Sequence, residues 1–230
     1  MNVGIIGDTH IPFDHDLYLD FVKDVFKRYK VKHVVHIGDL VDNHAISYHE
    51  SDPDGLSSGD EGLLVEQRLE RWFKAFPKVT VIMGNHDKLP ERQAKTSGLA
   101  KRFVKSFKDV WNLPKGWNVI PDGVSIDGVY YCHGTGSSGK NAAFNLMLAK
   151  GQSVVMGHVH SFGGVQWKAD YKDKYFGLNV GCGIDVEQYA FEYAKDYKWK
   201  PTLGCGIVLN GKQAIFEPME FPKYSKDGEV

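Results

Sequence analysis

Several short apolar stretches of this chain end in residues whose side chains can bind metal ions. The densest case is residues 81–83, which a glycine breaks and which Asn85, His86 and Asp87 follow directly. Burying an amide, an imidazole and a carboxylate at a strand end is costly unless something pairs with them. The same pattern occurs at five strand ends, whose polar residues are Asp8, His10, Asp39, Asn85, His86, His133, His158 and His160. The recurrence indicates one shared site.

The donor types indicate which ions this site can bind. Carboxylate, imidazole and amide groups without cysteine suit borderline or hard divalent ions, and they exclude a thiolate-rich structural zinc site. Six or seven donors are too many for one tetrahedral ion but suit two ions that share one carboxylate. Two ions about 3.5–4 Å apart can lower the pKa of a bridging water, hold a phosphoryl oxygen and stabilise in-line displacement. Taken singly, each histidine could instead be a hydrogen-bonded core residue. Residues 8–10 by themselves also fit a turn or a helix cap.

These residues also form an ordered set of motifs. In chain order they are Gly7-Asp8-Thr9-His10, Gly38-Asp39-Leu40-Val41-Asp42, Gly84-Asn85-His86-Asp87, His133-Gly134 and Gly157-His158-Val159-His160. The set resembles that of the calcineurin-like metallophosphoesterases over residues 4–160, about two-thirds of the chain. The resemblance implies a dinuclear metal site in an α/β fold, a four-layer α/β/β/α sandwich of two mixed β-sheets.

The resemblance also assigns roles, motif by motif. One ion would be bound by Asp8, His10 and His160, the other by Asn85, His133 and His158, with Asp39 bridging them. His86 would stabilise a phosphoryl oxygen or protonate the leaving group, and Asp87 would orient His86. Asp42 is expected to support the ligands rather than to bind metal. For the two divalent ions we expect Mn, with Fe, Zn, Ni or Mg as alternatives.

Two further residues are candidates for binding the substrate. Asn43 and His44 follow Asp42 where many members of the family carry Arg, so we expect His44 to replace that Arg. Residues 134–141 nearly match the phosphate-binding pattern G-x-x-x-x-G-K-[ST], but Asn141 stands where the metal-binding hydroxyl is required. A nucleotide-hydrolysing loop is therefore a minor alternative. The hypothesis retained is that loop amides and Lys140 bind a substrate phosphate beside the metals.

The elements that must position these residues alternate between strands and helices in the first half of the chain. Apolar runs predict buried strands at residues 3–6, 34–37 and 79–83, and helical spacing predicts helices at residues 16–30 and 63–76. This order predicts parallel neighbouring strands. The second half is mostly β, with hairpin turns at Asp127-Gly128 and Asn210-Gly211. Two mixed sheets packed face to face, with helices outside, accommodate all of these elements.

Two stretches that follow the candidate strand ends have no readable motif. Residues 42–62 are predicted to form a long acidic loop. Its alternative roles are a lid over the site, a regulator of metal affinity, or a solvated connection without a function of its own. Residues 88–108 carry seven Lys or Arg side chains. They indicate either the solvated face of a helix or a basic rim that guides a polyanionic substrate toward His86.

Composition limits the class of protein. The 230 residues are 42% hydrophobic, enough for a full core, and the net charge of -1 gives no global sign of nucleic-acid or membrane binding. The three cysteines are typical of reduced core thiols, and no signal-peptide pattern or membrane-spanning apolar run is evident. We therefore expect a cytoplasmic protein without a membrane partner. One domain should span residues 1–222, followed by a polar tail at residues 223–230.

The leading functional hypothesis is a metal-dependent phosphoesterase that acts through a metal-bound hydroxide. A phosphodiesterase of nuclease or cyclic-nucleotide type is favoured over a phosphomonoesterase acting on proteins or small molecules. The partner is then a phosphate-ester substrate, with nucleic acid or a nucleotide among the candidates; the sequence does not indicate protein partners. A rival of another class is a non-catalytic scaffold. The intact motif set, including His86, argues against it.

Overall fold

A computed structural model describes residues 1–48, 55–185, 187 and 200–220. Its strands are β1 (Asn2–Ile6), β2 (His33–His36), β3 (Val79–Ile82), β4 (Trp117–Ile120), β5 (Gly123–Ile126), β6 (Val129–Cys132), β7 (Ser153–Met156), β8 (Gly163–Ala169), β9 (Lys174–Val180), β10 (Gly204–Leu209) and β11 (Gln213–Pro218). Its α-helices are α1 (Tyr18–Arg28), α2 (Ser58–Ala75), α3 (Leu89–Thr96), α4 (Phe107–Val110) and α5 (Ala142–Lys150). Two 3₁₀ turns cover His44–Ile46 and Lys101–Phe103.

The strands form two mixed sheets. The first has the order β11-β10-β1-β2-β3-β4, in which β1 to β4 run parallel and β10 and β11 add antiparallel pairs. The second has the order β5-β6-β7-β9-β8, with a parallel centre and an antiparallel strand at each edge. In parallel strands the carboxyl ends meet at one edge of the sheet, so the residues that follow β1, β2 and β3 lie together.

Three apolar clusters hold the layers together. Between the sheets, Ile5 and Val35 of the first sheet pack in one cluster with Leu178 of the second. Trp72 of α2 belongs to a second cluster, which covers the outer face of the first sheet. Met147 of α5 belongs to a third, on the outer face of the second sheet. The result is the predicted α/β/β/α sandwich, because each sheet buries one face against the other sheet and the opposite face against helices.

The structure differs from the sequence-based expectation in the connecting segments. Strand β4 was not predicted, and α2 begins at Ser58 rather than at residue 63. Residues 88–108 do not form a continuous helix. There α3 ends before Gly98, whose φ of +73° is readily adopted only without a side chain, and a 3₁₀ turn and α4 follow.

The remaining expectations concern segments that the structure covers only in part. The acidic stretch at residues 42–62 includes a 3₁₀ turn and the first turn of α2, while residues 49–54 lie outside the described part. The predicted tail at residues 223–230 also lies outside it. No helix among the described residues is both long and apolar enough to cross a bilayer.

Candidate metal centre

Every proposed ligand lies just after the carboxyl end of a strand. In the first sheet, Asp8 and His10 follow β1, Asp39 follows its parallel neighbour β2, and Asn85 follows β3. In the second sheet, His133 follows β6, and the pair at residues 158 and 160 follows its parallel neighbour β7. The two packed sheets thus bring all seven residues to one edge of the sandwich.

The carboxylate of Asp39 lies between two groups of donors. Its Oδ2 atom is 3.1 Å from Nε2 of His133 and 3.6 Å from Nε2 of His10. Two sets of possible metal-binding side chains share this carboxylate, and within each set the donor atoms lie within 4.8 Å of one another: Asp8, His10, Asp39 and His160, and Asp39, His133 and His158. This is the geometry needed for one carboxylate to bridge two ions.

The first set has an arrangement of lone pairs that fits a cation. Nδ1 of His10 donates to Oδ1 of Asp42 at 2.5 Å, which leaves the Nε2 lone pair directed away from that bond. This Nε2 lies 3.3 Å from Nε2 of His160, and the latter lies 3.0 Å from Oδ2 of Asp8. Oδ1 of Asp8 is buried and has no hydrogen-bond partner in the described part of the chain.

The second set shows the same convergence of acceptors. Nδ1 of His133 donates to the backbone oxygen of Ile37 at 3.2 Å. Its Nε2 lies 2.9 Å from Oδ1 of Asn85 and 3.1 Å from the Asp39 carboxylate. The His158 ring lies 5.0 Å from the His133 ring, between centroids. Acceptor atoms packed this closely repel one another unless a proton or a cation lies between them, so the residues present fit a divalent ion.

The electrostatics of the site favour positive charge. Burial opposes ionisation of Asp39, yet the neighbouring imidazoles of His133 and His86 hold the pKa of Asp39 well below its usual range. Burial likewise lowers the pKa of His133, but the carboxylates of Asp39 and Asp8 outweigh it and raise that pKa to about 9. The negative charge of these carboxylates, which keeps the buried His133 imidazole protonated, also attracts metal cations.

The backbone at the site is held in unusual conformations. His10, Asp39 and His158 have positive φ angles of 49°, 48° and 66°, a region that residues with a Cβ seldom adopt. Glycines allow close approach: a Cβ on Gly84 would lie 2.1 Å from Oδ1 of Asp39, and a Cβ on Gly157 would lie 2.1 Å from Oδ1 of Asp8. The glycines at these two positions are therefore required by the packing of the carboxylates.

The residue that orients His86 is not the one that the sequence analysis named. Nδ1 of His86 donates to the backbone oxygen of Asp42 at 2.7 Å and lies 3.2 Å from Oδ1 of the same residue. The carboxylate of Asp87 instead accepts hydrogen bonds from the backbone N–H groups of Gly84 at 2.8 Å and Val41 at 3.1 Å. Asp87 therefore fixes the two ligand loops to each other, and Asp42 orients the imidazole.

Sequence reasoning missed two supporting side chains. Nδ2 of Asn43 donates to the backbone oxygen of His86 at 3.0 Å. The buried His36 ring accepts from the N–H of Gly38 at Nδ1, and its Nε2 lies 3.0 Å from the hydroxyl of Thr9, which donates to the backbone oxygen of Leu40. Burial lowers the pKa of His36 to about 3, so this ring is neutral at physiological pH. The signal available in the sequence was a histidine inside an apolar strand next to two motifs.

The two predicted substrate contacts differ in burial. His44 is 6% exposed, and its Nδ1 lies 3.7 Å from Oδ2 of Asp42, on the side of Phe13. Lys140 is exposed in the loop between β6 and α5. That loop joins a strand to a helix, as a phosphate-binding loop would, but its first residue follows the proposed ligand His133 directly.

The chain is similar to several known proteins. The family model described as calcineurin-like phosphoesterase matches residues 1–193. The Gene 54 protein of Mycobacterium phage L5 is 28% identical, over 99% of this chain and 97% of that protein. Among solved structures, Vps29 of Entamoeba histolytica complexed with zinc is similar with a TM-score of 0.45 and 11% identity, over 95% and 98% of the two chains. The phosphoesterase Yfce of E. coli has a TM-score of 0.41 and 14% identity, over 91% and 89%.

Fold and donor set together define a metal-dependent hydrolase of phosphate esters with a divalent metal centre. The family model covers well over half of the sequence, at residues 1–193. The chain belongs to the calcineurin-like phosphoesterase family.

Proposed function

We propose that this protein is a dinuclear-metal phosphodiesterase. One ion is bound by Asp8, His10 and His160, the other by Asn85, His133 and His158, and Asp39 bridges them. The observation that carries the assignment is the position of Oδ2 of Asp39, 3.1 Å from one imidazole nitrogen and 3.6 Å from another that belongs to the opposite set. We place Mn at the two positions, because oxygen and imidazole donors without thiolate suit it.

The chain's own residues can perform the acid step of ester hydrolysis. When bound, two divalent ions supply a nucleophile from water at neutral pH and stabilise charge on the phosphoryl oxygens. His86 is held by its Nδ1 bond to Asp42, so Nε2 is the nitrogen that can hold and release a proton. We assign to His86 the protonation of the leaving oxygen, or the stabilisation of a phosphoryl oxygen.

One feature of the site serves either kind of ester, and a second favours a diester. An alkoxide leaving group needs a proton in both cases, and His86, with 14% of its side chain exposed, is accessible to provide it. Basic side chains also lie on both sides of the ligand cluster, Arg92 beside His86 and Lys88 beside His133. A cationic rim favours a substrate with more than one phosphate. The alternative is a phosphomonoesterase.

The buried thiols support a reducing compartment, and we propose the cytoplasm.

The test is a paired turnover assay on Mn-loaded protein with para-nitrophenyl phosphate and its bis-ester. We expect a higher kcat/KM on the bis-ester. His86→Ala should reduce kcat at least about 100-fold on oligothymidine, whose alkoxide leaving group needs a proton, and less on the bis-ester, whose nitrophenolate leaves without one. The bound metal, measured by elemental analysis, should stay at two ions per chain. A preference for the monoester would replace this proposal with the phosphatase alternative. Absence of turnover of either ester with Mn, Fe, Zn, Ni and Mg would contradict the proposed activity.

A further inference from the structure

Two cavities open beside the ligand cluster. The first has a volume of about 230 Å³ and is lined by Ser47, Tyr48, Asn85, His86, Leu89 and Arg92. We call it the Tyr48–Arg92 cavity. It includes the proposed acid His86 and the proposed ligand Asn85, so a group bound there lies next to the reacting phosphate.

The second cavity lies on the other side of the cluster. Its volume is about 240 Å³, and its lining includes Tyr130, His133, Thr135, Ser137 and Lys150. We call it the Tyr130–Lys150 cavity. Lys88 also lines it and forms an ion pair with Asp122 at 3.3 Å, so Lys150 is the cation of this cavity that lacks an ion-pair partner among the described residues.

One pair of residues separates the two cavities. Oδ1 of Asn85, which lines the first, lies 2.9 Å from Nε2 of His133, which lines the second. Both residues are proposed ligands of the same ion. The two cavities therefore meet at proposed ligands of one ion, and a phosphate held there would lie beside both.

The two cavities repeat one chemical pattern, an aromatic ring with a cation over it. The guanidinium carbon of Arg92 lies 4.9 Å from the centroid of the Tyr48 ring, and Nζ of Lys150 lies 4.7 Å from that of Tyr130. Tyr48 remains 54% exposed, which leaves ring surface on which a flat group can stack. Arg92 has no ion-pair partner in the described part of the chain, so its charge is available to a phosphate.

The walls of the Tyr48–Arg92 cavity are fixed by hydrogen bonds. Nε2 of Gln93, on α3, donates to the backbone oxygen of Ile46 at 2.8 Å. The Tyr48 hydroxyl lies 3.3 Å from that of Thr96, at the end of the same helix. Together with the Asn43 bond to the backbone of His86, these contacts hold the two walls at a set separation, so little ordering is required when a ligand binds.

We propose that the two cavities bind the nucleosides on either side of the scissile phosphate of a single-stranded nucleic acid. This inference rests on the proposed phosphodiesterase function and names its substrate class. The leaving nucleoside occupies the Tyr48–Arg92 cavity, because His86 lines it. Its base stacks on Tyr48, and Arg92 binds the next phosphate. The other nucleoside occupies the Tyr130–Lys150 cavity.

The arrangement distinguishes this substrate from two others. In a cyclic nucleotide both ester oxygens belong to one ribose, so it fills one cavity at most. In duplex DNA the bases are stacked and paired, whereas in a single strand each base can turn outward onto an aromatic ring. Ring stacking does not depend on the base, so little sequence preference is expected.

The test compares oligothymidine with bis-para-nitrophenyl phosphate, a diester too small to use both cavities fully. We expect Tyr48→Ala and Arg92→Ala to lower the ratio of kcat/KM on oligothymidine to kcat/KM on the bis-ester by at least about fivefold, because the first loses a stacked base and the second a contact to the next phosphate. Tyr48→Phe, which keeps the ring, should restore the ratio. Lys95→Ala is the matched control, because it removes an exposed cation from the same helix away from the cavity. Equal ratios in all four variants would overturn the proposal, as would a wild-type preference for a cyclic nucleotide.

A binding measurement separates this inference from the proposed activity. Fluorescein-labelled oligothymidine is titrated with each variant in EDTA, where no turnover occurs, and anisotropy gives Kd. We expect Kd to rise at least about fivefold in Tyr48→Ala and Arg92→Ala and to stay unchanged in Lys95→Ala. If the bis-ester is not hydrolysed, the proposed activity fails while this binding pattern still supports the cavities. If the bis-ester is hydrolysed but the variants bind alike, the cavities are not nucleoside sites.

Discussion

Asp42 accepts a hydrogen bond from Nδ1 of His10 at 2.5 Å, and through its backbone oxygen it accepts one from Nδ1 of His86 at 2.7 Å. One residue therefore sets the orientation of a proposed metal ligand and of the proposed acid. It also fixes which nitrogen of each ring faces the site. Burial raises the pKa of Asp42, but the hydrogen bonds from His10 and His86 outweigh this and hold that pKa far below its ordinary value.

Removal of this carboxylate should therefore weaken metal binding. In Asp42→Ala we expect affinity for Mn to fall by about 10- to 100-fold, the usual effect of losing a hydrogen-bond partner of a ligating histidine. Calorimetric titration of the metal-free protein measures it. Asp24→Ala, which removes an exposed carboxylate on α1, is the control and should bind Mn as the wild type does. Unchanged affinity in Asp42→Ala would show that the ligand histidine keeps its orientation without this bond.

A methyl group at Gly84 should displace the bridging carboxylate. The added Cβ would lie 2.1 Å from Oδ1 and 2.3 Å from the backbone nitrogen of Asp39, so the side chain cannot stay in place. We expect purified Gly84→Ala to retain less than one Mn per chain by elemental analysis. Wild-type metal content in this variant would show that Asp39 is not needed to hold both ions.

The control is Gly62→Ala, in α2, where the added Cβ meets no atom within 4 Å. Its metal content should equal that of the wild type. Its stability in urea should rise by about 0.5–1 kcal/mol, because alanine loses less backbone entropy than glycine in a helix interior. A loss of metal in this variant would show that the Gly84 result does not depend on the clash.

The buried imidazole of His36 should make stability fall in acid. Its pKa is about 3 in the folded protein and about 6.5 when unfolded, so below pH 6.5 the unfolded chain takes up the proton first. The stability that the neutral ring contributes is complete above pH 6.5 and is lost as the pH falls toward 3. The slope approaches about 1.4 kcal/mol per pH unit.

The measurement is the free energy of unfolding of metal-free protein in urea between pH 7 and pH 4.5. Carboxylates also titrate toward the lower end, so the comparison is with His36→Gln, which lacks the ionisable ring. We expect the variant to show the shallower slope over this interval. Equal slopes in the two proteins would mean that the folded state accommodates a charged His36.

The three cysteines should not react in the folded protein. Cys132, Cys182 and Cys205 are buried, and burial raises the pKa of each thiol, to about 11 for Cys132. Because the thiolate is the reactive form, we expect Ellman's reagent at pH 8 to label almost no thiol in native protein and all three in guanidinium. Rapid labelling of one thiol without denaturant would contradict the buried position of that residue.

The sequence was sufficient to predict the layers and the strand ends that carry the proposed ligands, because both depend on local patterns. A buried strand is recognisable as an apolar run, and its end is marked by the glycine and polar residues that follow. The partner of His86 could not be obtained in this way. Asp87 is its neighbour in the chain, whereas Asp42 approaches it from 44 residues away, and that contact exists only once β2 and β3 are paired.

Two other differences have local physical causes. The start of α2 was available in the sequence, since the Ser57 hydroxyl accepts a hydrogen bond from the N–H of Asp60 and caps the helix. Residues 58–62 are polar or glycine, so they lack the apolar spacing from which the helix was predicted. Strand β4 lies at the edge of its sheet and includes the exposed Asn118, so it has no continuous apolar run.

The proposed ligands belong to both sheets, so ions bound as proposed would link one sheet to the other. Asp8, Asp39 and Asn85 follow strands of the first sheet, while His133 and His158 follow strands of the second. Separating the sheets would then release these ions into solution. The stability of the packed sheets would therefore depend on the free metal concentration, and above the dissociation constant each tenfold rise in that concentration would add about 1.4 kcal/mol to the folded state.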